Sequence, residues 1–191
     1  MKRLGTSDFD LKLPKTVYLV GSGPSVLQNY ERIPDEAYTI ALNGAVQLPA
    51  LKSDLWFAHC QRNFEQDWWE ETYKNYQGTK FFGSFITEAG YPSEYYFNFH
   101  EDLLKFGVRT GITVAGIAFQ MALLLGARNI IVTGLDMGGE TRYDGVPNPK
   151  NSPEKWDDIV VRFNSMLKSC QRNIEYSTCS LGFTRLEMIQ I

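Results

Sequence analysis

The sequence has few cysteines and no long apolar run, and these shortages exclude several classes of protein. Its three cysteines, Cys60, Cys170 and Cys179, are widely spaced and form no C-x-x-C pair, so neither a disulfide framework nor a zinc site is expected. The longest apolar stretches, 121–126 and 130–133, are far shorter than the roughly 20 residues of a membrane-spanning helix. The first residues also lack the apolar core of a secretion signal. We therefore expect a cytoplasmic protein with no transmembrane segment.

An excess of charge of one sign is also lacking. Charged residues make up 21% of the chain and the formal net charge is -3, whereas proteins that bind nucleic acid cluster Lys and Arg to neutralise phosphates. Nucleic acid is therefore not an expected partner, and nothing in the sequence defines an oligomeric state. A length of 191 residues suits one domain with a sizeable core. We interpret 1–191 as a single domain in which residues 1–15 form a loose N-terminal extension.

Short apolar segments alternate with helical ones along the rest of the chain. Strands are predicted at 17–20, 38–42, 55–58, 80–82, 95–99 (or an aromatic loop), 128–133 and 174–176, and helices at 25–32, 64–75, 112–125 and 153–168. The helix at 112–125 is apolar nearly all round and meets Gly126 where a C-terminal cap is expected, so it should be buried. This alternation predicts an α/β fold: a single Rossmann-like domain with a mostly parallel sheet and helices on both faces. The polar stretch 134–152 is long for a loop, which favours a functional role.

The first apolar strand runs into the loop Gly21-Ser22-Gly23-Pro24-Ser25. Its glycines allow a backbone to approach a phosphate without a Cβ in the way, and the following helix would present free amides at its positive end. Ser25 can cap that helix or donate to a phosphate oxygen. The loop therefore predicts a nucleotide-phosphate site, although a plain tight turn would have the same sequence. A third glycine and a Gly-Lys-Ser/Thr motif are both missing, which argues against dinucleotide and P-loop sites.

A second loop precedes the apolar helix, at Gly107-Val108-Arg109-Thr110-Gly111. Thr110 and the first helical amides could hold a second phosphate or a sugar, with Arg109 adding charge. The alternative is that Thr110 only caps the helix and Arg109 lies on the surface.

Polar side chains also follow three of the predicted strands. Asp136, after the strand 128–133, could accept a ribose hydroxyl, bind Mg²⁺ or orient a catalytic group, or it could simply form a turn. Asn43 and His59 follow the second and third strands. Because the carboxyl ends of parallel strands meet at one edge of a sheet, we expect both to point into the same crevice as the phosphate loop.

The order of these motifs resembles the bacterial sialyltransferases of glycosyltransferase family 42, and equally the related motility-associated-factor group that contains 6-hydroxymethylpterin pyrophosphokinases. The motifs are VGSGPS at 20–25, Ile33-Pro34 before the strand that ends at Asn43, RTG at 109–111, ALLLG at 122–126 and IIVTGLD at 130–136. The resemblance implies a variant Rossmann-like domain that binds a nucleotide, which is CMP-sialic acid in the transferases. The residues it assigns to nucleotide or sugar are Ser22, Gly23, Asn43, Thr110, Gly111 and Tyr143, the last matching a tyrosine that contacts the phosphate.

One departure from that family affects catalysis. The sialyltransferases carry a histidine base before their last long helix, whereas residues 148–153 read Asn-Pro-Lys-Asn-Ser-Pro and no histidine follows His100. An acceptor hydroxyl needs a base within hydrogen-bond reach. The candidates for that role are His59, Asp136 and Asp144.

The function expected is that of a nucleotide-binding transferase which passes a CMP-linked sugar to a saccharide acceptor and needs no metal or other cofactor. One alternative is a Mg²⁺-dependent pyrophosphokinase, in which Asp136 with Glu140 or Asp144 would hold the metal across ATP phosphates. Another is a catalytically reduced module that binds a nucleotide or sugar, which the missing histidine motivates.

Overall fold

The computed structural model describes residues 1–110, 112–138, 141–145 and 153–188. Its strands are β1 Lys2–Arg3, β2 Thr16–Val20, β3 Thr39–Leu42, β4 Leu55–Ala58, β5 Thr79–Gly83, β6 Tyr95–Phe97, β7 Asn129–Thr133 and β8 Ser177–Ser180. Its α-helices are α1 Trp69–Asn75, α2 Ser84–Glu88, α3 Asp102–Lys105, α4 Val114–Leu124 and α5 Pro153–Gln171. Short 3₁₀ helices lie at Pro24–Gln28, Tyr30–Arg32, Asn43–Gln47 and Gln61–Asn63. None of the helices in these ranges is long and apolar enough to cross a membrane.

The strands form one eight-stranded sheet in the order β1-β6-β5-β4-β3-β2-β7-β8. Each pairing between these strands is parallel. From β2 the chain builds outward in one direction through β6, and it then returns to place β7 and β8 on the other side of β2. The strand order therefore reverses between β2 and β7, and open α/β sheets bind their ligands at such a point.

Alternation of side chains along the strands produces two buried faces. On β4, Leu55 and Phe57 belong to the larger core, which also contains residues of α4 and α5. Trp56 and Ala58 face the opposite way and pack with Trp69 of α1 in a second cluster. Because successive strand residues point to opposite faces, a strand buried on both faces is a continuous apolar run. The predicted α/β fold with helices on both faces is confirmed.

Helix α4 is the buried helix that the sequence predicts. All nine residues from Ala115 to Leu123 are buried. The helix ends where Gly126 adopts a positive φ of 113°, which lets its amide bond the carbonyl of Leu123 at 3.2 Å and that of Ala127 bond Ala122 at 2.9 Å. Glycine tolerates this conformation without a Cβ penalty.

The N-terminal residues are not the loose extension that the sequence predicts. Lys2 and Arg3 form an edge strand beside β6, and Leu4 and Leu13 are buried. The Arg3 guanidinium contacts the Asp102 carboxylate, with Nη2 2.9 Å from Oδ1 and Nε 3.1 Å from Oδ2. This ion pair crosses 99 positions of sequence, so no local pattern could reveal it.

Three predicted elements differ in detail. The helix predicted at 25–32 consists of two 3₁₀ helices separated at Asn29, whose φ is -130° and whose side chain donates to the Ser25 carbonyl at 2.8 Å. A side chain that binds a helical carbonyl competes with regular helix. The helix predicted at 64–75 begins only at Trp69.

The last strand is Ser177–Ser180 rather than 174–176. The amides of Asn173 and Ile174 both bond the carbonyl of Cys170 and close α5, so they are not available to the sheet. Tyr176 is fully buried and donates its hydroxyl to the Leu167 carbonyl at 2.8 Å. The apolar residues that predict a strand at 174–176 therefore pack in the core directly before β8.

Candidate functional site

A crevice of about 380 Å³ opens at the carboxyl ends of β2, β3, β4 and β7. Its walls come from the loops after these strands, from the start of α4, and from Arg142 and Trp156, which lie outside those elements. The lining residues are Gly21, Ser22, Gly23, Leu42, Asn43, Cys60, Arg62, Asn63, Gln66, Thr113, Val114, Ala115, Gly134, Leu135, Asp136, Met137, Gly138, Arg142 and Trp156. The crevice thus lies at the reversal of strand order, where a ligand site is expected.

The loop Gly21–Gly23 packs directly against the loop after β7. The amide of Gly21 donates to the Thr133 carbonyl and that of Gly23 to the Gly134 carbonyl, both at 2.8 Å. A Cβ on Gly21 would overlap Gly134 and Leu135, and one on Gly23 would lie 2.8 Å from Asp136 Cγ. The sequence predicts that these glycines let a phosphate approach the backbone, and in the structure the amides of Gly21 and Gly23 are bonded within the chain. These glycines are needed because two strand-end loops touch.

The carboxylate of Asp136 occupies the start of the 3₁₀ helix Pro24–Gln28. Its Oδ2 accepts from the Ser25 amide at 2.9 Å and its Oδ1 from the Ser25 hydroxyl. Asp136 is 7% exposed and lines the crevice, whereas Pro24 and Ser25 do not line it. Helix amides attract negative charge, and here the chain supplies that charge itself. Binding of a phosphate to this loop remains a prediction.

Asn43 lies at the end of β3 and lines the crevice, as expected. Its φ of 48° is in the left-handed region, which is unfavourable for a residue other than glycine and is enriched at functional sites. The side-chain Oδ1 accepts from Asn63 Nδ2 at 2.8 Å, and the carbonyl accepts from Trp56 Nε1 at 2.9 Å. The first bond orients the side-chain amide of Asn43, and the second fixes its backbone.

Arg109 and Thr110 are not among the described residues that line the crevice. The amide of Arg109 bonds Gln120 Oε1 at 2.8 Å, and its exposed side chain reaches Ser165 Oγ at 3.4 Å. Thr113 is the residue that caps α4, where its hydroxyl accepts from the Gly116 amide at 3.3 Å. Thr113 also lines the crevice, and its place directly before the apolar run is the signal that identifies it. Gly111 lies outside the described residues.

His59 faces away from the crevice, contrary to expectation. Its ring stacks on Phe99 with centroids 4.5 Å apart and contacts Phe85 and Phe97. Nδ1 is buried without a hydrogen-bond partner, and burial lowers the pKa of His59 to about 4. The alternation of side chains places the next residue, Cys60, in the crevice wall instead. His59 is therefore a neutral member of an aromatic cluster.

Tyr143 holds the segment 141–145 against the crevice rim, and neither Tyr143 nor Asp144 lines the cavity. The Tyr143 amide bonds the Ser22 carbonyl at 3.0 Å and its hydroxyl bonds the Gly44 carbonyl at 3.1 Å. Burial raises the pKa of the Tyr143 hydroxyl. Asp144 Oδ2 lies 2.9 Å from Arg142 Nη2. Arg142, one residue before the predicted tyrosine, is the residue of this segment that lines the crevice.

Several lining residues are not predicted from the sequence. Arg62 and Asn63 belong to a 3₁₀ helix after β4, and Trp156 belongs to the first turn of α5. No motif marks them, because each reaches the crevice only through the packing of its element. The magnesium alternative needs Asp136 with Asp144 or Glu140. Glu140 lies outside the described residues, and no group of three His, Cys, Asp or Glu able to hold a metal occurs within them.

Comparison with known proteins identifies a similar solved structure, the sialyltransferase CstII from Campylobacter jejuni in complex with a substrate analogue, cytidine-5'-monophosphate. The TM-score is 0.57 at 15% sequence identity, and the match covers 88% of this chain and 80% of that one. No family model and no curated protein sequence matches the chain. The likeness supports the sialyltransferase side of the resemblance and lends no support to the motility-associated-factor and pyrophosphokinase side. At this identity it shows that the chain has a sialyltransferase-like, Rossmann-like α/β fold.

Proposed function

We propose that the chain is a nucleotide-binding transferase of the glycosyltransferase type, with a CMP-linked sugar as donor and a saccharide as acceptor. The observation that carries the proposal is the crevice at the reversal of strand order between β2 and β7. The fold likeness to a structure in complex with cytidine-5'-monophosphate supports CMP as the nucleotide. No metal or other cofactor is part of this proposal.

The crevice offers both kinds of group that a nucleotide sugar requires. Arg62 and Arg142 are the cations in its described wall, and a cation stabilises the negative charge that grows on a departing phosphate. The side chains of Asn43 and Asn63 provide amide groups with fixed orientation, which suits recognition of a base or a ribose. A pocket of this kind combines few oriented polar groups with apolar walls.

Asp136 is the base that we propose for the acceptor hydroxyl. Of His59, Asp136 and Asp144, it is the one that lines the crevice. Its two bonds from Ser25 orient the carboxylate and leave it further acceptor capacity, because a carboxylate can accept about four hydrogen bonds. A general base needs this combination of reach and fixed orientation.

A second candidate function is a nucleotide-binding module without catalysis. The observation in its favour is the same Ser25–Asp136 contact, since it gives Asp136 a structural role that needs no substrate. Release of CMP from CMP-sialic acid separates the transferase from the non-catalytic module, and so does a comparison of Asp136→Asn with Ser25→Ala.

The binding half is tested by thermal shift with CMP, UDP, GDP, ATP and CMP-sialic acid, each with and without Mg²⁺. A ligand at a hundred times its dissociation constant should add about 2.7 kcal/mol to the free energy of unfolding. We expect CMP and CMP-sialic acid to raise the melting temperature without Mg²⁺. If none of the five does so, the proposal fails.

The catalytic half is tested by release of CMP from CMP-sialic acid in Asp136→Asn and Ser25→Ala. Both variants disturb the Ser25–Asp136 contact, but only the first removes the carboxylate. We expect Asp136→Asn to lose turnover by about a hundredfold or more and to keep CMP affinity, while Ser25→Ala retains most turnover. Binding without any turnover by the unmodified chain would favour the non-catalytic module.

A further inference from the structure

Two residues of the crevice wall have buried donors without a hydrogen-bond partner. Among the described residues, the buried side-chain atoms that lack a hydrogen-bond partner are His59 Nδ1, Trp69 Nε1, Thr133 Oγ1, Arg142 Nε, Arg142 Nη2 and Trp156 Nε1. The last three belong to the two residues of this set that line the crevice. All three are N–H donors, and neither a guanidinium nor an indole can accept a hydrogen bond.

The guanidinium of Arg142 is held in place but not satisfied. The absence of a Cβ at Gly44 gives it room, since a Cβ there would overlap Nη2. The Nη2 atom lies 2.9 Å from Asp144 Oδ2 and forms an ion pair with it, whereas Nε is buried without a hydrogen-bond partner. The side chain is 17% exposed, so bulk water does not readily replace the missing acceptor.

The second donor in the crevice wall is the neutral indole N–H of Trp156, which belongs to α5. Its ring packs against the main core, and its Nε1 is buried without an acceptor. A buried tryptophan usually finds a partner for its N–H, and a buried donor without one costs about 1–3 kcal/mol. Two such residues in the wall of one cavity indicate a site that awaits an acceptor from its ligand.

We infer that Arg142 and Trp156 form a clamp for an oxyanion, and that this oxyanion is the phosphate of the bound nucleotide. Phosphate oxygens are pure acceptors, and the fork of an arginine matches two of them at once. The amides of Gly21, Gly23 and Ser25 are already bonded within the chain, so these three amides of the loop are not available to the phosphate. This inference rests on the proposed function, because it assigns a role within the same crevice.

The test compares CMP with cytidine by calorimetry in Arg142→Lys, Trp156→Phe and the control Arg172→Lys. Trp156→Phe keeps an aromatic ring but removes the N–H, and Arg142→Lys keeps the charge but removes the fork. We expect each to weaken CMP about tenfold or more and to leave cytidine within about twofold. Arg172→Lys makes the same exchange at an exposed residue outside the crevice and should leave both ligands within about twofold.

The outcomes separate this inference from the function on which it depends. If the unmodified chain binds neither CMP nor cytidine, the proposed function fails. If it binds CMP and both clamp variants retain that affinity, the clamp is wrong and the function stands. If the variants lose the same factor of affinity for CMP and for cytidine, the clamp is also wrong. CMP-sialic acid is titrated as a third ligand, and a loss of affinity for it alone would assign the donors to the sugar carboxylate and overturn the phosphate assignment.

Discussion

At the scale of single residues, His59 and Asp136 show how neighbours decide what an ionisable group does. Both follow strands that end at the same edge of the sheet, so the sequence makes them equal candidates. His59 is enclosed by Phe85, Phe97 and Phe99, whereas Asp136 lines the crevice with its carboxylate fixed by Ser25. The difference is one of side-chain direction.

The burial of His59 predicts a pH dependence of stability. Its pKa is about 4 in the folded chain and 6.5 ordinarily, so between these values the unfolded chain binds more protons. The contribution of His59 to stability should be fully present above pH 6.5 and should decline as the pH falls to about 4. Below that pH it should change no further. The full loss is on the order of 3 kcal/mol.

Urea unfolding between pH 7 and 4 measures this effect, with His59→Leu and His100→Gln as a matched pair, because these are the two histidines of the chain. The loss of stability between pH 7 and 4 should be smaller in His59→Leu than in the unmodified chain and should be largely unchanged in His100→Gln. An unchanged loss in His59→Leu would show that other groups cause it.

At the scale of elements, the two-residue strand β1 combines pairing to β6 with ion pairs from its side chains. Arg3 reaches the carboxylate of Asp102 in α3, and Asp102 is 5% exposed. The neighbouring Lys2 pairs with the exposed Asp10. The Arg3–Asp102 pair is more buried than the Lys2–Asp10 pair, and burial decides how much each pair contributes to stability.

We predict that Arg3→Met destabilises the chain by about 1–2 kcal/mol, since it leaves a buried carboxylate with fewer donors. The Asn98 amide still donates to Asp102 at 2.7 Å, which limits the loss. Lys2→Met on the same strand should have a smaller effect, because water solvates the charges of both Lys2 and its partner Asp10. Urea unfolding at pH 7 measures the free energy of unfolding of both variants. Equal losses would contradict the conclusion that the buried Asp102 makes the Arg3 pair the stronger one.

Whole elements vary in how far their sequence predicts them. Helix α4 is predictable because its apolar residues and Gly126 are local signals. The 3₁₀ helix Pro24–Gln28 is predicted as a longer helix because Asn29 binds Ser25 and interrupts it. Strand β1 is not predicted, because it is stabilised by pairing with β6 and not by its own composition.

At the scale of the whole molecule, the reversal of strand order brings distant loops into one crevice. Residues after β2 and β7 touch through Gly21, Gly23, Gly134 and Asp136 although about 110 positions separate them. A ligand there would bridge both halves of the sheet. Hydrogen exchange is the measurement that locates such bridging.

We predict that saturating CMP slows amide exchange in 21–23 and 134–138 more than in β1 and β6 at the far edge of the sheet. Contact with a ligand suppresses local opening of these loops, whereas the far edge gains only the general stabilisation of the fold. Greater protection at β1 and β6 would contradict a site in the crevice.

The sequence by itself determines the parallel α/β architecture, the buried helix α4 and the set of strand-end loops where we expect a site. Those features depend on residues close to one another in the chain: apolar runs, a capping glycine and polar residues after strands. It also assigns Asn43 and Asp136 to the crevice.

Only the tertiary structure decides which loop residues are free to bind. It pairs Ser25 with Asp136, turns His59 into an aromatic cluster and places Arg142 and Trp156 in the wall, and these contacts join positions far apart in sequence. The physical reason is that hydrogen-bond partners are chosen by packing, whereas a sequence pattern records only which groups need a partner.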